Sequence, residues 1–162
     1  MSQTRASLHL QNYPHPIVTR IQGKPTFTSL FKLHTEIKAN AASVPSTRGG
    51  GLHGHLGIVL SPLKYSNISL TPFERPNDPG QPVLTGAMTW DQMQAVRLAN
   101  RDQREAFDLV NTVESSLKQQ IINAIDSEYL QELSNSITNT IEHPIHVIFD
   151  TLFQKYGRIT KK

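Results

Sequence analysis

The sequence predicts a mainly α-helical domain with a short extended or β segment near the N-terminus and a long irregular loop rich in proline and glycine. Apolar side chains recur at helical spacing over residues 89–157. Residues 90–125 contain neither glycine nor proline, so nothing in their composition interrupts a helix. Residues 66–88, by contrast, contain four prolines and two glycines, which is typical of a connection without regular structure.

The N-terminal region is predicted to be an arm followed by a short strand. Residues 1–16 are polar and contain two prolines, so we expect a flexible arm. The folded body is expected to span residues 17–157. At its start Ile17, Thr19 and Ile21 alternate with residues of the opposite face, which is the period of a β-strand.

A first amphipathic helix is predicted over residues 27–42. Either Thr26 or Thr28 can cap its N-terminus, and Pro45 cannot continue it. Its apolar stripe consists of Leu30, Phe31, Leu33, Ile37 and Ala41.

The segment GGGLHGHLGIVL, residues 49–60, raises the question of a ligand site. His53 and His55 would share one side of a strand, but no third metal ligand accompanies them. The glycine spacing fits neither a P-loop nor a dinucleotide fingerprint. We therefore interpret the segment as a turn flanked by two ordinary polar histidines. The apolar run that follows enters the core as a short strand or the start of a helix: Leu56, Ile58 and Leu60.

The C-terminal two thirds is predicted to be a set of helices joined by short linkers. Thr89 and Gln92 have the spacing of a capping box, and the polar stretch near Asn100 is a place for a kink or short break. Asp126 or Ser127 then caps a short helix that buries Tyr129, Leu130 and Leu133. The last helix opens at Pro144, ends at Gly157 and carries the stripe Ile145, Ile148, Phe149, Leu152 and Tyr156.

The net charge of +3 conceals a strong asymmetry along the chain. Residues 1–64 hold seven Lys or Arg and one acid, whereas residues 65–157 hold six bases and twelve acids. Residues 158–162 form a basic tail with three further cations. A basic arm on an acidic body is typical of nucleic-acid contact or of head-to-tail association of copies. An unevenly charged, solvated surface is the alternative.

Composition and motifs argue against most catalytic chemistry. Without cysteine the chain has no disulfide, thiolate nucleophile or cysteine-based zinc site. Charges of both signs alternate between Arg101 and Asp108, as on an ion-paired helix surface. No secretory signal or membrane-spanning run is apparent in the sequence. We expect a protein without enzymatic activity, cofactor or metal, located in the cytoplasm and without a membrane partner.

Three stretches together resemble a known family. They are PTFTSLFKLHTEIKANAASVPSTRGGGLHGHLGIVL followed by Tyr65, then LKQQIINAIDSEYLQEL, then IEHPIHVIFDTLFQKYGRIT. The order of NAASV, GGGLHGHLG and a final Tyr-Gly is similar to Gag-like proteins of copia-type LTR retrotransposons. The resemblance covers roughly residues 17–160 and matches the N-terminal capsid domain of those proteins.

The resemblance implies a helical, structural capsid-type protein that self-assembles into virus-like particles around the element's RNA. The expected partners are therefore copies of the chain itself and RNA bound without sequence preference. The alternatives are a nucleic-acid-binding adaptor that does not assemble and an enzyme that uses His53 and His55. From charge, the RNA-contacting residues are predicted to be Arg5, Arg20, Lys24, Arg48, Arg158, Lys161 and Lys162.

Overall fold

A computed structural model describes residues 12–157, and these residues form a mainly helical fold, as predicted. The described region contains no β-strand, only an isolated bridge between Ser134 and Ile141. The α-helices are α1 (Phe27–Ser43), α2 (Pro62–Ser66), α3 (Trp90–Ala124) and α4 (Ile145–Tyr156). Single 3-10 turns form at Arg48–Gly50, Leu56–Ile58, Ser127–Tyr129 and Gln131–Leu133.

The core lies where α1 packs against α4 and against the second half of α3. Each helix contributes one apolar stripe at the predicted spacing, so the three stripes enclose a single cluster. The fully buried members include Leu30, Leu33 and Ile37 of α1, Leu117 and Ile121 of α3, and Ile145, Ile148, Phe149 and Leu152 of α4.

Both long helices begin at the predicted capping residues. The Thr26 hydroxyl accepts from the backbone N–H of Ser29, and Ser29 Oγ in turn accepts from the Thr26 N–H. Thr89 and Gln92 make the same reciprocal pair at the start of α3. These bonds satisfy donors that a helix start otherwise leaves unpaired.

α3 is one continuous helix of 35 residues, so the predicted break near Asn100 does not form. At 1.5 Å per residue it is about 50 Å long. Its buried residues all lie at or beyond Val110. The first half therefore extends away from the core, and Asn100 there donates a hydrogen bond to the carbonyl of Gly80 instead of interrupting the helix.

Residues 67–89, which we call the strap, contain no helix or strand and run along α3. Gln103 donates to the Asn77 carbonyl at 3.1 Å, and Arg104 pairs with Asp78 at 3.0 Å. Closer to the core, Arg75 forms an ion pair with Glu114. The strap thus binds α3 through polar contacts along both of its halves.

The predicted β-strand at residues 17–21 is not formed: the segment is irregular and begins in a bend. Its backbone bonds go elsewhere: the Ile21 N–H donates to the carbonyl of Ala124 at 2.7 Å, and the Thr19 N–H donates to Glu36. Ile17 is exposed while Val18 and Ile21 are buried, so the alternation used for the prediction does not match the buried face. Hydrogen bonds to α3 and α1 thus take the place of pairing with a second strand.

The described end of the predicted arm is packed on the helices. Tyr13 is buried, and its hydroxyl lies 2.6 Å from Ser116 Oγ of α3. The backbone of His15 bonds to the side chains of Asn40 and Gln120. Residues 12–16 are therefore part of the folded body.

The predicted short helix after Asp126 is instead a pair of 3-10 turns. These turns bury Leu130 and Leu133, as expected, and leave Tyr129 partly buried against the ring of Tyr156. The chain then reaches α4, whose N-cap is Pro144 and whose C-cap is Gly157.

Candidate assembly and nucleic-acid surfaces

The structure gives the predicted RNA-contacting cations different neighbours. Arg20 is exposed and already paired within the chain: its guanidinium lies 2.6 Å from the Asp126 carboxylate and donates to the Asn123 carbonyl at 2.9 Å. Lys24 is exposed in the turn before α1. Arg48 is half-buried after α1. The other four predicted residues lie outside the described part of the chain: Arg5, Arg158, Lys161 and Lys162.

Arg48 borders a cavity of about 340 Å³ between the end of α1, the strap and α3. Most of the wall is apolar, with Pro45, Pro76 and Leu109 among its residues. Buried His55 forms another part of the wall. The cavity thus combines one guanidinium and one imidazole with a largely apolar lining.

The glycine-rich segment turns the chain tightly after α1, as interpreted from the sequence. Gly49, Gly50, Gly51 and Gly54 all have positive φ, which side-chain-bearing residues rarely adopt. The hydroxyl of Tyr65 donates to the Gly49 carbonyl at 2.6 Å and so fastens the turn to α2. The segment is an internal structural element that brings α2 and the strap beside α1.

His55 is a core residue, which corrects its interpretation as an ordinary polar residue. It is 1% exposed, its Nδ1 lies 2.8 Å from the Val44 carbonyl, and its backbone N–H donates to Ala41. His53 is half-buried, with Nε2 3.2 Å from the Ile68 carbonyl. Both imidazoles therefore contact the backbone of neighbouring segments. Within residues 12–157 no three His, Asp or Glu residues are placed to hold a metal ion.

A pair of exposed aromatic rings at the start of α1 was not recognised from the sequence. Phe27 and Phe31 stack with centroids 6.0 Å apart and are 41% and 55% exposed. Phe27 also approaches Phe153 of α4 at 5.8 Å. The predicted apolar stripe of α1 includes Phe31, which the structure leaves exposed. The spacing could have indicated this exposure, because residues four apart are neighbours on a helix. Phe31 therefore lies beside Phe27, at the edge of the stripe that contains Leu30.

His34 lies beneath this face, between α1 and α4. Its ring is 4.4 Å from that of Phe149. Burial, with the charges of Lys38 and Lys64 as smaller causes, lowers the pKa of His34 from 6.5 to about 4. The imidazole is therefore neutral at pH 7, and positive charge on this face comes from the lysines.

We expect His34 to make the fold less stable in acid. Because its folded pKa lies below the unfolded value, the unfolded chain binds the extra proton first, and stability falls as pH drops from 6.5 towards 4. His34→Gln should flatten this part of the curve when urea midpoints are measured from pH 7.5 to 4. The neighbouring His146 and Asp150 are the same in both proteins, so a difference between the two curves is due to His34. Parallel curves for the two proteins would contradict the assignment.

A second exposed apolar surface lies on the first half of α3. Trp90 is 68% exposed and Leu98, two i, i+4 steps along the helix, is 50% exposed. Val83 of the strap, close before α3 in the chain, is also exposed. We call Trp90 and Leu98 the α3 face.

No protein-family model, curated protein or solved structure matches this chain. In the described region no helix combines the length and the apolar character that crossing a membrane requires.

Proposed function

We propose that this chain is a structural capsid-type protein of the Gag class, which self-assembles into cytoplasmic virus-like particles enclosing RNA. The observation that carries the proposal is the first half of α3. This half forms regular helix up to Val110 without a fully buried residue, and Leu109 at its end packs, partly buried, against the described core. Its exposed side chains include Leu98 and Trp90, and tryptophan is among the residue types enriched in interfaces between proteins.

A contact with a second subunit would bury the apolar side chains that the first half of α3 leaves exposed. Apolar side chains in the first half of α3, such as Met93, Val96 and Phe107, are half-buried and none is fully buried, although packing provides most helical stability in proteins. The strap contributes polar bonds here, such as Asn100 to Gly80 and Arg104 to Asp78. Exposed polar bonds of this kind add little stability, whereas a second copy packed on the α3 face would bury its apolar side chains.

The charge distribution supports contacts between unlike surfaces. Residues 1–64 carry seven bases and one acid, and residues 65–157 carry twelve acids and six bases. Contacts that join two different surfaces repeat from copy to copy, and they close into rings or continue into larger assemblies. The basic region also suits RNA, because neutralising phosphates releases counterions.

Assembly should depend on the α3 face. In Trp90→Gln with Leu98→Gln, we expect the protein concentration needed for assembly to rise about tenfold or more, since a tryptophan buried at the centre of an interface often contributes at least this much. Light scattering against concentration measures the effect. Glutamine is a good helix former, so circular dichroism should show unchanged helix content.

Leu70→Gln is the matched control, because Leu70 is fully exposed in the strap and belongs to neither surface. This variant should assemble like the unmodified chain. Equal assembly of the α3-face variant and the control would contradict the role of the α3 face. A chain that stays monomeric or dimeric and binds RNA in a salt-dependent way would favour the adaptor alternative.

A further inference from the structure

We infer that the exposed ring pair Phe27–Phe31 is a stacking platform for single-stranded RNA, with lysines of α1 contacting the phosphates. The inference rests on the proposed function and names the surface that would hold the RNA. None of the predicted RNA-contacting residues is aromatic, and the platform lies on a different element from Arg20 and Arg48.

The platform is a pair of packed rings with exposed surface on both. The two rings lie nearly parallel, at an interplanar angle of 25°, and their centroids are 6.0 Å apart. Phe153 supports Phe27 from α4, which holds the ring pair at the seam between two packed helices. Because every base presents a flat π-face, such rings bind single strands with little sequence preference.

Positive charge lies on the same side of α1. Lys38 is eleven residues from Phe27 and seven from Phe31, so helical geometry places all three along one stripe. Lys32 follows Phe31 on the exposed flank, and Lys24 precedes the helix. Lys38 and Lys64 both act on His34, which places their charges near the centre of this face.

Acidic side chains are rare around the ring pair on α1. Glu36 is the only acid in residues 1–64, and it is 6% exposed. Its carboxylate accepts from the Thr19 N–H at 2.9 Å and from the Thr19 hydroxyl at 2.7 Å, so it faces inward. Asp150 of α4 lines the same groove as His34, 4.0 Å from Lys64 Nζ, so it offsets the charge of that lysine. Exposed rings flanked by Lys24, Lys32 and Lys38, with few acids beside them, fit an anionic strand better than a second copy, whose remaining surface carries charges of both signs.

The test is binding of a fluorescein-labelled 20-nucleotide oligouridylate to the full chain, followed by anisotropy at several salt concentrations. Phe31→Leu should weaken binding about tenfold, because it keeps an apolar contact and removes stacking. Phe31→Tyr should restore binding. Neither substitution should change the salt dependence. Lys32→Gln with Lys38→Gln should reduce the salt slope by about 0.7 for each lysine.

Two controls separate this inference from the proposed function. Trp90→Gln, on the α3 face, should leave oligouridylate binding unchanged, and Phe31→Leu should leave particle formation without RNA unchanged. If the unmodified chain binds the oligonucleotide but Phe31→Leu binds equally well, the platform is wrong and the capsid proposal stands. If Phe31→Leu instead blocks assembly alone, the rings contact a second copy and the inference is overturned. An unmodified chain that binds no RNA would overturn both.

Discussion

Gly54→Ala is expected to destabilise the fold by about 3 kcal/mol or more, through overpacking together with an unfavourable backbone conformation. Gly54 has a φ of +53°, and a Cβ atom there would collide with the Ala42 carbonyl and lie 2.6 Å from the Val44 carbonyl oxygen. Both neighbours are backbone atoms at the end of α1, so they cannot rotate away. Urea unfolding followed by circular dichroism measures the loss.

Gly80→Ala separates the two causes. Gly80 also has positive φ, at +64°, but an added Cβ would meet no atom within 4 Å. This variant should lose only the conformational part, about 1 kcal/mol. Equal losses at Gly54 and Gly80 would contradict the close approach of the glycine-rich turn to α1.

Asn40→Ala is the second substitution with a large expected effect. Asn40 is fully buried, and its amide donates to the carbonyl of His15 and to Gln120 Oε1 while accepting from the His15 N–H. Alanine leaves the buried Gln120 oxygen and the His15 N–H without this partner. We expect a loss of about 3 kcal/mol in the free energy of unfolding.

Hydrogen exchange adds a local readout, because the His15 amide should exchange faster in Asn40→Ala than in the unmodified chain. Asn111→Ala is the control: Asn111 is exposed on α3 and accepts a single long bond, 3.5 Å, from Arg75. Its effect should stay within about 0.5 kcal/mol. If the two asparagine variants unfold at the same urea concentration, the buried network does not hold the N-terminal segment in place.

Helices were predictable from the sequence because their signals are local. The caps at Thr26 and Thr89 and the apolar stripe of α4 each depend on residues within a few turns. The N-terminal segment was not, because its partners are distant. Ile21 bonds to Ala124, 103 residues away, and no local alternation distinguishes that contact from a strand pair.

The candidate surfaces were less accessible to prediction. Charge alone selected Arg20, which forms a surface ion pair with Asp126. Residue type predicted that His55 is an ordinary polar residue beside a turn, yet the turn at Gly54 buries it under the end of α1. Phe31 fitted an apolar stripe, and its exposure emerges only when α4 covers one side of that stripe and leaves the other open.

The measurement that tests the central claim most directly is the size distribution of the purified full chain against protein concentration, with and without RNA. Light scattering and negative-stain microscopy both report it. The capsid proposal predicts large, regular particles that form more readily with RNA, because RNA neutralises the basic region while copies associate through the α3 face. A strict monomer at high concentration, in the presence and absence of RNA, would contradict it.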